Sequence, residues 1–442
     1  MKDSIHKLIF AIVLLVLLTA QLFVYSREQP QIAIGNGRGD DGITYGKVAD
    51  AFLADERPVG DAPFVYRIGV PWLASIVSRS VHTPIDESFR LINIIALYIL
   101  ALLMYRLALR FCAPVFASFV CALYMLPFYG NARLVYFYPV LVDTPWMVLL
   151  VLSLIIMTRD ALSVWSVVAL SIISFCATLM RETGVLIPFT FLLSLYPVRR
   201  LFSVEVFVGR LPEPIMSERG VSTPRLLIYG LIPLSAALLG IVLSRQAVMA
   251  IGTYSFLSAA LESARANNLW HLTISVFLAF GGPMLALLVI KPEVASDQLR
   301  ATPQCLVLLA LIVIVSYFGG VNTVRFLSWA SPVVLLLVCR SLQVAVSELW
   351  ENRSYVQGVI IALMLLGVVS YEVASLHPFE GYYRDYAAWA KWGGLQFSRL
   401  EPGILAGYLA VSIAAIFVWR WFGSTGTRRA KRRIVVTFGL FR

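Results

Sequence analysis

The recurrence of apolar runs near the length of a bilayer crossing constrains this chain more than any other feature. The first, "LIFAIVLLVLLTAQLFVYS", covers residues 8–26 and follows Lys2 and Lys7. A spanning helix needs about 20 mostly apolar residues, because lipid offers no partner to an unpaired backbone group. Further runs cover 91–109, 115–128, 144–157, 163–180, 184–197, 226–243, 272–290, 305–318, 327–338, 356–373 and 404–421. By that rule the expectation is an all-α polytopic membrane protein of about twelve spans, with 1–442 forming a single transmembrane domain. Composition agrees: 59% of residues are hydrophobic and 14% charged, against about 45–50% apolar and 25% charged in soluble domains. A cleavable signal peptide is the alternative for the first run. Its length, and the lack of a clear A-x-A site after it, favour a retained anchor. The runs 115–128 and 184–197 are short for full spans and are expected to be tilted, broken or sheltered.

The net charge of +11 has a topological explanation. Arg106, Arg110, Arg159, Arg199, Arg200, Lys291 and Arg340 stand at alternate span ends, as positive-inside placement requires. Both termini are then cytoplasmic, with a cytoplasmic loop at 199–225 and a basic cytoplasmic tail at 423–442. No basic segment is interleaved with aromatics as a single-strand binder needs, so nucleic acid is not an expected partner. Cys112, Cys121, Cys176, Cys305 and Cys339 lie in or beside apolar runs without a CxxC pair, and read as small core residues. His271 and His377 have no partner at metal-ligand spacing and read as interfacial.

This orientation sorts the remaining polar residues onto one face. The first outer loop, 27–88, carries Asp40 and Asp41 in "GNGRGDDGITYGKVADAF" and Tyr66 and Arg67 in "PFVYRIGVPWLAS". Asp143 ends an inward-going run's outer side in "YFYPVLVDTPW". Arg181 and Glu182 follow an outward span in "LMRETGVLIPF", and Arg325 follows another in "GGVNTVRFLSWASP". A last outer loop holds Arg384 and Asp385. Each has a bland explanation: a solvated turn for the acidic pair, a local Arg181–Glu182 ion pair, an N-cap or early-turn acid at Asp143 with Pro145 in the first turn, a snorkelling Arg325. Their shared sidedness favours a site. Arginine near membrane depth is costly unless paired or used, and Arg67, Arg181 and Arg325 together would make a cationic pocket suited to a lipid phosphate.

These motifs, taken in order, resemble the GT-C class of integral-membrane glycosyltransferases. Asp41-Gly42-Ile43-Thr44-Tyr45 is similar to that class's first-loop acid followed four residues later by an aromatic and a short amphipathic helix. "YRIGVPWLA" resembles its Tyr-Arg…Pro segment before the second span. "VDTPW", "RETG" and "VRFLSWASP" resemble its later outer-face acid and arginine motifs. The sequence departs from the class in carrying Asp40-Asp41-Gly42 where many members have Asp-Glu.

The resemblance implies transfer of a sugar from a polyprenyl-phosphate donor to an acceptor glycan, lipid or protein on the outer face of a bacterial inner membrane. Asp41 is the expected base, with Asp40 second. Arg325 and Arg181, with Arg67, are the expected ligands of the donor phosphate, while Tyr45, Tyr66, Asp143 and Glu182 would orient arginines or sugar hydroxyls. Paired carboxylates suit hard cations, which leaves Mg²⁺ or Mn²⁺ at Asp40 and Asp41 as an open alternative. The amphipathic segments 45–53 and 66–78 are expected along the outer interface, apolar faces on lipid. The glycines around the acids would let a substrate approach closely. The rival readings are a secondary transporter, a lipid-linked glycan flippase or polymerase, and a non-catalytic scaffold. A transporter would be expected to hold ionisable or helix-breaking positions near the bilayer midplane.

Overall fold

The computed structural model describes residues 2–125, 131–159, 161–195, 221–252, 254–266, 282–319 and 323–352, with isolated helical positions within 272–280, 358–366 and 410–417. The predicted cytoplasmic loop lies outside the described residues as far as residue 220. So do His271, the last outer loop with His377, Arg384 and Asp385, the tail 423–442, more than half of the predicted span 356–373 and nearly all of 404–421.

The described chain is helical. Its first half comprises α1 (Lys2–Glu28), α2 (Gly39–Leu53), α3 (Gly69–Val81), α4 (Ile85–Ala108), α5 (Pro114–Met125), α6 (Asn131–Phe137), α7 (Asp143–Met157), α8 (Val164–Met180) and α9 (Leu186–Ser194). The second half comprises α10 (Thr223–Ala247), α11 (Phe256–Ala266), α12 (Gly282–Ile290), α13 (Pro292–Ala301), α14 (Pro303–Phe318), α15 (Thr323–Ser328) and α16 (Ser331–Asn352).

Local chemistry places many of these ends. Asp86 and Glu87 open α4 and Arg106 closes it, each charge opposing the helix dipole at its end. The Ser163 hydroxyl caps α8 by accepting from the Ser166 amide at 3.2 Å. Pro224, Pro292 and Pro303 stand in the first turns of α10, α13 and α14, where a missing N–H costs nothing.

Four described helices are long and apolar enough to cross a membrane: the 25-residue segment Ser4–Glu28 of α1, then α4, α10, and Ser331–Glu351 in α16. A fifth is reached if α13 and α14, bent by 103° at Thr302, count as one span. α7, α8 and the Glu182–Ser194 segment are apolar but shorter. The helices α4 and α7, α7 and α8, and α8 and α10 pack side by side. They enclose one core that includes Leu97, Leu100, Met104, Trp146, Leu150, Leu170 and Trp329. Large apolar side chains also face outward along α1 and α10, among them Leu8, Val16, Phe23, Ile228, Leu231 and Leu239. A helix with that outer face suits lipid rather than water.

The runs at 327–338 and 184–197 are each more than one element, as expected for the second and not for the first. The run at 327–338 is a short α15, a break at Trp329–Ala330, and an α16 that continues to Asn352. Arg340 therefore sits inside a helix, donating to the Phe111 carbonyl at 3.4 Å, and does not mark a helix end. The run at 184–197 is a 3-10 turn over Glu182–Val185 leading into α9, separated from α8 by an extended Arg181. The all-α reading also misses a two-stranded parallel ribbon, β1 (Val59–Asp61) with β2 (Met249–Ile251). It ties the first loop to the end of α10, with the Arg57 guanidinium donating to the Gln246 and Val248 carbonyls at 2.9 and 3.0 Å.

Four of the five cysteines are buried, Cys176 is partly so, and all are free thiols.

Candidate functional site

The residues singled out in the sequence come from five separate segments, and seven of them form two hydrogen-bonded arms, one of four residues and one of three. Asp41 lies in the first turn of α2, Asp143 opens α7, Arg181 ends α8, Glu182 opens the following 3-10 turn, and Arg67 follows a 3-10 turn at Phe64–Tyr66. Arg325 sits in α15.

Asp143 is the centre of the first arm. One of its oxygens, Oδ1, accepts from Arg181 Nη1 at 2.6 Å. The other, Oδ2, accepts from Arg325 Nη2. Arg325 Nη1 then reaches Asp41 Oδ2 at 3.5 Å. A second arm runs through Arg67, whose Nε donates to Glu182 Oε2 at 2.9 Å and whose Nη1 donates to the Tyr45 hydroxyl at 2.5 Å. Asp143, Arg181 and Arg325 are each 5% exposed or less at the side chain, whereas Asp41 and Glu182 are 20% and 28% exposed. The inner arginines are thus sealed in, and the two carboxylates at the ends of the arms face outward.

Aromatic rings complete the enclosure. The Arg181 guanidinium lies over Trp329 at 4.6 Å and Phe326 at 5.6 Å, and Trp329 packs on Trp146 at 4.5 Å between centroids. Arg67 lies over Phe64 at 5.0 Å. Such faces stabilise a cation that has left water. Arg245, at the end of α10, lies 5.3 Å from the Tyr66 ring. That contact places Tyr66 beside the Arg67 arm but outside the hydrogen-bonded chain.

In the second arm, outside the spanning helices, Tyr45 and Arg67 have displaced ionisation. Burial pushes the Tyr45 phenol up to about 12, although the Arg67 charge works against it. Burial disfavours the charge on Arg67, but Glu182, Tyr45 and Asp41 outweigh it, so its pKa rises above the ordinary arginine value.

Several expectations need correction. The local Arg181–Glu182 pair does not form. Arg181 has extended backbone (φ −163°, ψ 139°), and adjacent side chains on an extended chain point to opposite sides. Arg181 goes to Asp143 and Glu182 goes to Arg67. Asp143 stands in the first turn of α7, as an early-turn acid does, but it is not the N-cap: Val142 holds that position and no side-chain cap bond forms. The three arginines do not make a bare cationic pocket, since three carboxylates are interleaved among them and formal charges within the set cancel.

The glycines of the first loop also have a different task. A Cβ on Gly39 or Gly42 would run into the Tyr138 ring, one on Gly42 also into Val140, and one on Gly46 into the Arg38 guanidinium. These glycines let α2 press against its own protein. Accordingly α2 buries Thr44, Tyr45, Val48 and Ala49 and exposes Asp40, Lys47 and Asp50. Its apolar face rests on protein, not on lipid. Of the two amphipathic helices, α3 is the one that turns large apolar side chains outward, Trp72 and Ile76 among them.

Asp40 and Asp41 diverge on α2: Asp40 is exposed and Asp41 turns toward Arg325. The two carboxylates alone fall short of a divalent-ion cage, and among the described residues no three His, Cys, Asp or Glu side chains cluster to hold a metal.

Three supporting residues escaped the sequence reading. Asn93, buried in the middle of α4, donates from Nδ2 to the Pro139 and Leu141 carbonyls at 2.7 and 3.0 Å. The Tyr138 hydroxyl accepts from the Gly42 amide at 3.0 Å. Arg38, just before α2, donates to Asp86 at 2.8 Å and Asp50 at 2.9 Å. A lone asparagine in an apolar span was the available signal for the first, since intramembrane polar groups need partners.

No protein-family model matches the chain, and no curated protein matches it in sequence.

Proposed function

We propose that this chain is a GT-C-type glycosyltransferase of a bacterial inner membrane, with about twelve spans and both termini cytoplasmic. It moves a sugar from a polyprenyl-phosphate to an acceptor glycan, lipid or protein on the outer face. One observation carries the reading: an outward-facing carboxylate from the first loop, Asp41, meets Arg325 at 3.5 Å, and Arg325 shares Asp143 with Arg181. A proton acceptor and two guanidiniums therefore stand within one cluster, which are the two requirements of this transfer.

The acceptor hydroxyl gives its proton to the Asp41 carboxylate as its oxygen bonds to the anomeric carbon. The bond from that carbon to the phosphate oxygen breaks, and its electron pair stays on the departing lipid phosphate. Arg325 is placed to stabilise that growing charge, with Arg181 behind it. Asp143 holds both guanidiniums in orientation, and Glu182 does the same for Arg67.

The test is transfer from radiolabelled polyprenyl-phosphate sugars by purified, reconstituted protein. Asp41→Asn is expected to lower the rate by about 10²–10⁴, the usual contribution of a positioned base. Full-rate transfer by that variant sinks the assignment of the base. A wild type that consumes no donor but dissipates a solute gradient sinks the enzyme reading in favour of a transporter.

A further inference from the structure

The two acids that flank Arg325 are set by a single turn of chain. Residues 138–142 link α6 to α7 and deliver Asp143 directly. The same turn reaches α2: the Tyr138 hydroxyl accepts from the amide of Gly42, the residue after Asp41, at 3.0 Å. The Tyr138 ring lies where Gly39 and Gly42 leave no room for a Cβ. Tyr138 is 3% exposed, so this contact is not exchanged for water.

The turn is itself gripped. Asn93 Nδ2 bonds the carbonyls of both Pro139 and Leu141, and the Ile32 amide bonds the Phe137 carbonyl at 2.9 Å. Carbonyls of an irregular segment buried beside an apolar span need internal partners. Asn93 supplies two donors from one side chain, which fixes the turn relative to α4.

We infer that Tyr138, held in place through Asn93, is a positioning residue that sets Asp41 opposite Arg325. The inference rests on the proposed transfer reaction, but its geometry does not. The Asp41–Arg325 contact of 3.5 Å is already at the outer limit of a hydrogen bond. A shift of the first turn of α2 by about 1 Å would break it, and misplacements of that size cost about 10²-fold in rate.

Tyr138→Phe removes the hydroxyl and keeps the ring against Gly39 and Gly42. Two measurements on the reconstituted full chain read the result. Amide exchange over residues 39–45 is expected to quicken while exchange over 164–180 stays as in the wild type. The kcat per donor-binding site is expected to fall about 10- to 100-fold with donor KM changed less than about twofold. Unchanged exchange over 39–45 overturns the inference, as does unchanged kcat. Loosening along the whole chain also overturns it, because that is a packing role. Should Tyr138→Phe not fold, Asn93→Ser is read by the same two criteria. If the wild type transfers no sugar, the functional reading falls, and the exchange arm alone decides whether Tyr138 holds the turn that carries Asp41.

Discussion

Replacing Asp143 by Asn isolates the element on which the candidate site depends. The carboxylate is 5% exposed and bridges two guanidiniums exposed to 3% and 5%. Asparagine keeps an oxygen that accepts from Arg181 or Arg325 but removes the negative charge shared between them. Removing one partner of a buried ion pair typically costs about 3–5 kcal/mol, mainly because the other charge is left uncompensated. Here two cations are left, while one hydrogen bond survives, so the expectation is a loss of about 3 kcal/mol or more. Equilibrium unfolding in mixed micelles measures it, by comparing wild type, Asp143→Asn, Arg181→Met and the double variant. If the cost is that of orphaned charge, the double variant unfolds less readily than the sum of the singles implies. A coupling of about 1–3 kcal/mol is expected for residues in one network. Strict additivity, or a single-variant cost under about 1 kcal/mol, would refute the reasoning, because it would mean the arginines are not held by Asp143.

Two further perturbations follow from the first loop. The Tyr45 phenol is raised by burial to about 12 from an ordinary value of 10.0, so the folded state binds its proton more tightly than the unfolded state does. Its stabilising contribution is whole below pH 10 and is lost as pH rises through about 12. Tyr45→Phe should therefore flatten the fall in unfolding free energy across that window, and an unchanged slope would count against the burial. Gly42→Ala should cost about 1–3 kcal/mol by overpacking, because its Cβ meets Val140 and Tyr138. A variant that unfolds like wild type but no longer binds donor would return this glycine to a role in substrate approach.

The helical, membrane-type character of the chain was legible because it rests on run length and composition, which need no long-range information. The predicted run at 226–243 sits wholly inside α10, and 305–318 inside α14. Boundaries were less legible where apolar content continues through a break or past it. In "VRFLSWASPVVLLLVCR" Pro332 falls in the first turn of the restarted helix, a start signal that the apolar run on both sides masks, and nothing there announces that the helix runs on to Asn352. The β1–β2 ribbon was invisible for a related reason. Its strands are three residues each and lie almost two hundred residues apart, below any usable period.

For the candidate site, the gathering of these residues was readable and their pairing was not. Positive-inside reasoning marks Arg67, Arg181 and Arg325 as odd, but it counts charges per loop and says nothing of which carboxylate each will meet. Adjacency misleads: Arg181 and Glu182 are neighbours in sequence and diverge in space, while Arg325 and Asp143 are 182 residues apart and hydrogen-bonded. Burial makes such distant pairing necessary, since a guanidinium removed from water needs an opposite charge at close range. That necessity turns three expected cations into a set balanced by Asp41, Asp143 and Glu182. It also ranks the contacts. Asp143 is bound by two arginines and sealed from water, while Asp41 holds Arg325 by one 3.5 Å contact and faces outward. An anion arriving from outside thus competes for Arg325 with Asp41 rather than with Asp143. The carboxylate it displaces is the one assigned to take the proton.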